Sequence, residues 1–500
     1  MEKLRDRIRN QELEKKIIEA EEAADLVEDG MTIGCSGFTP SGYPKAVPLA
    51  LYERVKSMDD KPKISLLTGA SVGKELDGKL VEAGCVKRRF PYQSNKEMRN
   101  LINKGDIAYS DIHLSHFPQQ VRYGYYGDID LAIIEAVAIT EEGNIIPSTS
   151  VGASPAFVEK AKNVIVELNL NKSLALEGYH DIYQLDDPPN RKPIPLSSAS
   201  DRIGNPYIEL DNDKLQGIVL TELEDDISLS ILESEKSKQI AGHIIEFLKY
   251  EVKNSRLPDN LLPLQSGVGK VANSVLSGLC DSPFNNIDFY SEVIQDSVFD
   301  LIDCGKIRVA SGTSITPSPE GYKHFLENIE RYKEKIILRP QEISNNPEII
   351  RRLGSIAINT AVEVDMYGNV NSSNIMGTNI MNGIGGSGDF TRNAYLSVFV
   401  TTSIAKGGDI SSIVPMVAHV DHTDHDVDVI VTEQGLADLR GLSARGRARE
   451  IIENCAHPDF RNQLKDYFNK AQEAGGNIPH RLEGALSWHR NLMEGGTMKA

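Results

Sequence analysis

The stretch FYSEVIQDSVFDLI (289–302) places one acid, Glu292, where its neighbours call for an apolar setting. Phe289, Val293 and Ile294 have the character of a buried strand, and the chain turns helical directly afterwards. Residue type alone leaves three readings of Glu292 open: a surface residue, half of an ion pair, or the reacting group of an enzyme. A second candidate is NIMNGIGGSGDFTRNAYLS (379–397), in which Gly383, Gly385, Gly386 and Gly388 crowd together before a helix expected to be capped by Asp389. Clustered glycines let backbone N–H groups converge on a phosphate or a developing oxyanion. QSGVGKVANSVL (265–276) repeats that order on a smaller scale, its glycines able to let an anion approach, but taken alone it reads rather as a plain tight turn. It matches neither the dinucleotide fingerprint nor the P-loop.

VAHVDHTDHDVDVIVTEQG (417–435) sets His419, His422 and His425 among aspartates. On a helix, spacings of three would bring them to one face, as a metal site requires. The alternating, β-branched VDVIVTEQG argues instead for extended chain, which points His422 away from His419 and His425. A polar cluster at a strand end fits better than a metal site. Glu433 sits just past VIVT, at the carboxyl end of that strand, and Lys406 lies in the polar turn TTSIAKGGDISS. A lysine there is either solvated or the local positive charge beside a phosphate. His113, His116 and Arg122, in 111–130, show no spacing that translates into chemistry.

These residues need a frame, and the chain supplies an α/β one. MTIGCSG, KISLLTGAS, DLAIIEAVAI and NVIVELN read as short apolar strands, and KAVPLALYERVKSM as a helix between them. That alternation specifies mostly parallel sheets flanked by helices on both faces. The N-terminal MEKLRDRIRNQELEKKIIEAEEAADLVEDG reads as a charged helical run, without the apolar core of a secretory signal. From about 174 to 228 the pattern loosens into Pro, Ser and Asp, read as a connection over the surface. SEKSKQIAGHIIEFLKYEV is an amphipathic helix with Ile240, Ile244, Ile245 and Leu248 on one face. AVAITEEGNI (136–145) and AVEVDMYGNV (361–370) share Ala, Val, Gly and Asn 225 residues apart. The match divides the chain into two related domains, 1–228 and 229–500, the second carrying Glu292. IDFYSEVI is then a strand and QDSVFDLIDCG its helix, capped by Gln295 or Asp296 and closed by Gly305. This puts Glu292 near the carboxyl end of a parallel strand, where open α/β sheets bind ligands.

Composition narrows the partners. A net charge of −18 repels nucleic acid and anionic membrane surfaces, so any phosphate needs locally placed donors. No stretch approaches the roughly 18 apolar residues of a membrane span. Five scattered cysteines without a CxxC pair indicate neither a disulfide framework nor a zinc site; each reads as a small buried apolar residue. The simplest location is cytoplasmic.

GVGKVANSVLSGL, YSEVIQDSVFDLID, GNVNSSNIMGTNIMNGIGGSGDFTRNAYLS and HVDHTDHDVDVIVTEQGLADLRGL together resemble the acetyl-CoA hydrolase/transferase family of class I coenzyme A transferases. TPSGYPKAVPLALYERV and LLTGASVGKELDG extend the resemblance over nearly the whole chain. The resemblance implies two tandem CoA-transferase domains, a homodimer, and a site between the domains with Glu292 as nucleophile. By the same carry-over, Gly267, Val268, Gly269, Lys270, Val271, Val362, Asn382, Gly386 and Lys406 line the coenzyme A site. The amides of Val268 and Gly386 are the expected oxyanion donors, and Asn345 and Glu433 hold and orient Glu292. Ser71 and Ser94 belong to the expected carboxylate pocket. Position 270 is usually uncharged in the family, so Lys270 is a departure, either a phosphate contact or solvated.

The implied reaction moves coenzyme A from an acyl-CoA to a small free carboxylate through a glutamyl-CoA thioester. Succinyl-CoA with acetate is the first choice, with propionate or butyrate as other acids. Neither metal nor permanently bound cofactor enters; coenzyme A is a substrate, attached covalently in the intermediate. An aqueous glutamate, with a pKa of about 4.3, would need no separate base. The rivals are an acyl-CoA hydrolase on the same residues, a metal-dependent hydrolase on the histidines, and a sugar-phosphate isomerase.

Overall fold

The computed structural model describes residues 2–226 and 234–499. Its contacts form two compact units: 2–226 with Phe289–Phe299 and Arg308–Arg352, and 234–288 with Asp300–Ile307 and 353–499. The sequence reading kept 229–500 together, whereas by compactness Glu292 groups with the first unit. Main-chain hydrogen bonds give the reason. Val151 N–H donates to the Thr313 carbonyl (2.9 Å), Ile315 N–H to Thr149 (2.9 Å) and Gln341 N–H to Gly152 (3.0 Å).

The first unit contains a nine-stranded sheet. Across it run Ile17–Ile18, Leu215–Thr221, Ala161–Asn169, Ile129–Ile139, Thr32–Cys35, Ile64–Leu67, Val86–Phe90 and Ala108–Tyr109, all parallel. Ile145–Pro147 alone pairs antiparallel, on Ile129–Ile139. The central Ile129–Ile139 is buried at nearly every position, as a strand covered on both faces must be. Helix Ala46–Val55 lays Val47, Leu51 and Val55 onto Ile33, Leu66 and Ile133. Each such buried side chain contributes about 1.5–3 kcal/mol.

In the second unit Leu264–Ser266, Ile356–Thr360, Leu396–Val400 and Val429–Thr432 are successive parallel neighbours, and Gly435–Asp438 closes the row antiparallel. Helix Glu235–Lys253 starts at a capping box between Ser234 and Ser237 and buries Ile240, Ile244 and Leu248. The two segments matched in sequence both fold as hairpins. Thr140 N–H donates to Asn144 O (2.9 Å) and Asp365 N–H to Asn369 O (3.0 Å). Gly143 and Gly368 take the left-handed conformation at corresponding places, with φ of 93° and 100°.

Four expectations are corrected. The stretch from 174 is not a loose surface connection: Leu176, Tyr179, Ile182, Ile194, Leu196 and Ile208 are buried, and Leu215–Thr221 is a sheet strand. Its irregular backbone is held by Asp181, whose Oδ1 accepts from the N–H groups of Ile203 (2.8 Å) and Gly204 (2.7 Å) while Oδ2 pairs with the buried Arg339. The N-terminal run is broken into helix Glu2–Arg5, a 3₁₀ turn Gln11–Lys16 and edge strand Ile17–Ile18. Cys280 and Cys304 are paired with Cα atoms 6.2 Å apart, while Cys35, Cys85 and Cys455 are buried thiols as expected. Helix Ser387–Thr391 begins at Gly386, which places Asp389 inside it rather than at its cap. Among the described residues no helix is long and apolar enough to cross a membrane.

Asp181→Ala leaves the Arg339 guanidinium buried without its counter-charge. It is expected to lower unfolding free energy by about 3–5 kcal/mol. Urea denaturation measures this, and an unchanged midpoint would contradict the role given to Asp181.

Candidate active site

Glu292 stands where strand Ile287–Tyr290 stops and the two-residue strand Val293–Ile294 begins, followed by helix Asp296–Asp303. The expected continuous strand is therefore interrupted at Ser291 and Glu292. The break is stabilised by the Glu292 carbonyl, which accepts from the N–H groups of Thr313 (2.7 Å) and Ser314 (3.1 Å). With its main chain clamped, the side chain has a defined direction. Asn345, fully buried at the end of helix Gln341–Ser344, donates from Nδ2 to Glu292 Oε1 at 2.8 Å. Among the described residues the Asn345 Oδ1 atom has no hydrogen-bond partner.

Loss of water around the half-buried Glu292 pushes its carboxyl up to about 7, against the single stabilising bond from Asn345. The aqueous value assumed from sequence therefore does not apply: near neutrality about half the molecules hold the reactive anion. A carboxylate short of hydrogen bonds is also a better nucleophile than a solvated one.

Val293 packs with Phe38, Ala70 and Leu114, and Tyr92 lies against them. This draws the loops carrying Ser71 and Ser94 toward the Glu292 segment. Ser71 is buried and Ser94 exposed. Both loops hang from Arg89, which the sequence reading passed over. Its buried guanidinium donates to both oxygens of Asp77 (2.9 and 3.0 Å), to the Ala70 carbonyl (3.0 Å) and to the Phe90 carbonyl. Its only signal in sequence was a cation inside the strand VKRRF. Arg122, also unresolved in sequence, forms a two-bond pair with Glu342 at 2.8 Å.

The other expected residues lie in the second unit, mostly where parallel strands end. Gly267, Val268 and Gly269 follow Leu264–Ser266; Val362 follows Ile356–Thr360; Lys406 follows Leu396–Val400; Glu433 follows Val429–Thr432. Because these strands are neighbours, their carboxyl-end loops share one sheet edge, the usual ligand edge of such folds. Gly269 has φ 137° with open space at its Cβ position and starts helix Lys270–Gly278, from which Val271 projects half-buried. Val268 is exposed. The side chain of Lys270 lies outside the described residues. Lys406 is exposed, with a left-handed φ of 45° in the turn joining Ile404–Ala405 to Ile410–Ser411.

Glu433 accepts from Ser403 N–H (2.8 Å) and Oγ (2.7 Å) and pairs with Lys236 Nζ (3.1 Å). Burial works to raise its pKa, but the Ser403 bonds and Lys236 outweigh it and hold the carboxylate below its usual range. The two acids thus sit in opposite environments: Glu433 a stabilised anion, Glu292 a destabilised one. In the glycine loop, Gly383 N–H donates to Asn382 Oδ1 (2.8 Å), Gly385 takes φ 58° and Gly386 heads the short helix. The three histidines do not converge: His422 is buried, whereas His419 pairs with Asp421 and His425 with Asp424 nearer the surface.

Residues 1–219 match the acetyl-CoA hydrolase/transferase N-terminal domain and residues 321–468 the C-terminal domain of the same name. The chain belongs to the acetyl-CoA hydrolase/transferase family. It is 57% identical over 494 residues to succinyl-CoA:acetate CoA-transferase from Clostridium kluyveri, covering 99% of this chain and 92% of that one. It is 46% identical over 516 residues to acetyl-CoA hydrolase from Schizosaccharomyces pombe, covering 99% and 98%. Among solved structures, RipA from Yersinia pestis shares the fold, with a TM-score of 0.73 at 23% identity, covering 92% and 98%. Within this family member, Glu292 falls between the two matched segments.

The environment of Glu292 carries a pH signature in stability. Its folded pKa of about 7 exceeds the unfolded value near 4.3, so the native state holds a proton the unfolded chain has released. Stability on this account falls as pH rises from about 4.3 to 7 and stays lower above. Glu292→Gln should be more stable than the parent at pH 8, by roughly 3–4 kcal/mol, with the gap closing near pH 4.5. Chemical denaturation at both pH values decides: a gap independent of pH would contradict a desolvated carboxyl.

Proposed function

We propose that the protein transfers coenzyme A between an acyl-CoA and a free carboxylate, with succinyl-CoA plus acetate giving acetyl-CoA plus succinate as the preferred pair. The observation carrying this reading is Glu292 itself, a raised, half-buried carboxyl bonded by Asn345, in a family whose named relatives act on acyl-CoA. The Glu292 carboxylate attacks the thioester carbonyl, and the tetrahedral oxyanion collapses with loss of CoA thiolate to an acyl-glutamyl anhydride. The thiolate then attacks the glutamyl carbonyl, releasing the first carboxylate and leaving a glutamyl-CoA thioester. An acceptor carboxylate reverses both steps and departs as the new acyl-CoA. One thioester replaces another, so the exchange is close to balanced without an energy-rich co-reactant.

The backbone amides of Val268 and Gly386 serve as oxyanion donors in this scheme, each worth on the order of a hundredfold in rate. Gly267–Val271, Val362, Asn382 and Lys406 bind coenzyme A, whose remote contacts supply energy expressed in the transition state. Asn345 and Glu433 orient Glu292, and Ser71 and Ser94 receive the small carboxylate. The protein on this reading is a cytoplasmic homodimer with no resident cofactor. A second reading, acyl-CoA hydrolysis at the same residues, is favoured by the S. pombe relative, named a hydrolase. It differs only in water reaching the anhydride or thioester.

Intact mass after mixing with acetyl-CoA or succinyl-CoA alone tests the mechanism. A CoA adduct on Glu292, sensitive to borohydride, discharged by acetate or succinate and missing in Glu292→Gln, is expected. Turnover without any adduct would remove Glu292 as nucleophile, and adduct loss in buffer as fast as with acceptor would establish the hydrolase.

A further inference from the structure

His422 is the buried member of the histidine trio and has no part in the reaction scheme proposed for Glu292. Its main chain is fixed by a reciprocal pair with Val370, His422 N–H to Val370 O (3.1 Å) and Val370 N–H to His422 O (2.8 Å). Its ring packs on Phe399 with centroids 4.9 Å apart. The ring Nε2 faces two hydroxyls, Ser387 Oγ at 3.1 Å and Ser372 Oγ at 3.4 Å. Each hydroxyl spends its own hydrogen elsewhere: Ser387 Oγ donates to the Ile384 carbonyl (2.7 Å), and Ser372 Oγ to Asp421 Oδ2 (3.3 Å). With the hydroxyl hydrogens so placed, both oxygens are left to accept, and the ring tautomer protonated on Nε2 serves them. Asp421 in turn is gripped by Ser373 Oγ (2.7 and 2.9 Å) and by the N–H groups of Ser372 (2.6 Å) and Ser373 (2.9 Å).

We propose that His422 is a positioning residue that latches the glycine loop through Ser387, holding the Gly386 amide in its working direction. The proposal rests on the reading of Gly386 as an oxyanion donor. A loop with Gly383, Gly385 and Gly386 has little stiffness of its own, since glycine leaves the backbone free. An oxyanion donor works only if it is fixed before charge develops, within about half an ångström. The Ser387 hydroxyl supplies that fixity: it belongs to the residue after Gly386, closes the loop on Ile384, and is pinned from outside by a ring on separate, packed structure. His422 touches no reacting atom on this account. The spacing HVDHTDH, suggestive of metal ligation, is instead the register that turns one histidine inward to the loop.

Steady-state kinetics and melting temperatures of the full-length protein test the latch, using Ser387→Ala, His422→Leu, their double variant, His422→Gln and Gly386→Pro. Each of the first two should lower kcat about tenfold with KM for acyl-CoA within about twofold and the melting temperature nearly unchanged. The double variant should be no worse than either single, because one linkage is lost in all three. His422→Gln keeps a donor near the Nε2 position and should recover most of the rate. Gly386→Pro, which deletes the amide proton, should cost about a hundredfold. Unchanged kcat in Ser387→Ala alongside a slow Gly386→Pro overturns the latch alone. Unchanged kcat in Gly386→Pro overturns the oxyanion reading and the latch with it. Rate losses that track melting temperature and add in the double variant assign His422 to the core and overturn the proposal.

Discussion

A carboxylate moved out of water must either gain replacement hydrogen bonds or take up a proton, and among the described residues the Glu292 carboxyl gains one bond where several would be needed. Much of the structure described around it serves to keep that deficit. The break in the strand at Ser291 and Glu292, the two N–H groups on its carbonyl, and the buried amide of Asn345 fix where the acid stands without solvating it further. Glu433, with two bonds from Ser403 and a lysine beside it, shows what the same fold does with an acid it keeps ionised.

The parallel sheets explain why chemistry-bearing residues gather from distant parts of the chain. Strands that run together end together, so Gly267, Val362, Lys406 and Glu433, spread over some 170 positions, come to one edge of the second unit. In the first unit, Arg89 and Asp77 do the corresponding work for the loops of Ser71 and Ser94. Such buried pairs add little net stability, yet removing one partner is costly, which makes them effective at holding a loop in a single position.

Much of this was legible in sequence because the signals were local. An acid in an apolar run, glycines crowded before a helix and β-branched strands each announce themselves within a dozen residues. The match between 136–145 and 361–370 was visible as well, although not that both are hairpins; the turn that needs a left-handed glycine repeats its spacing. What failed was long range. The stretch after 174 looked like a surface connection because its composition is polar, but Asp181 and Arg339 lie 158 residues apart and together make it interior. The same blindness set the pKa of Glu292 at its aqueous value and hid which hydroxyl His422 meets, because Asn345 and Ser387 lie 53 and 35 residues away.

The central claim is that a desolvated Glu292 carboxylate is the group that reacts. The most direct measurement is the pH dependence of the single-turnover rate at which acyl-CoA forms the enzyme adduct, by rapid quench and intact mass. With the carboxyl titrating near 7, the rate should rise about tenfold per pH unit up to that point and level off above it. A rate flat from pH 5 to 8 would mean that Glu292 is already fully ionised in the range where the enzyme works, and the account of a destabilised anion would be wrong.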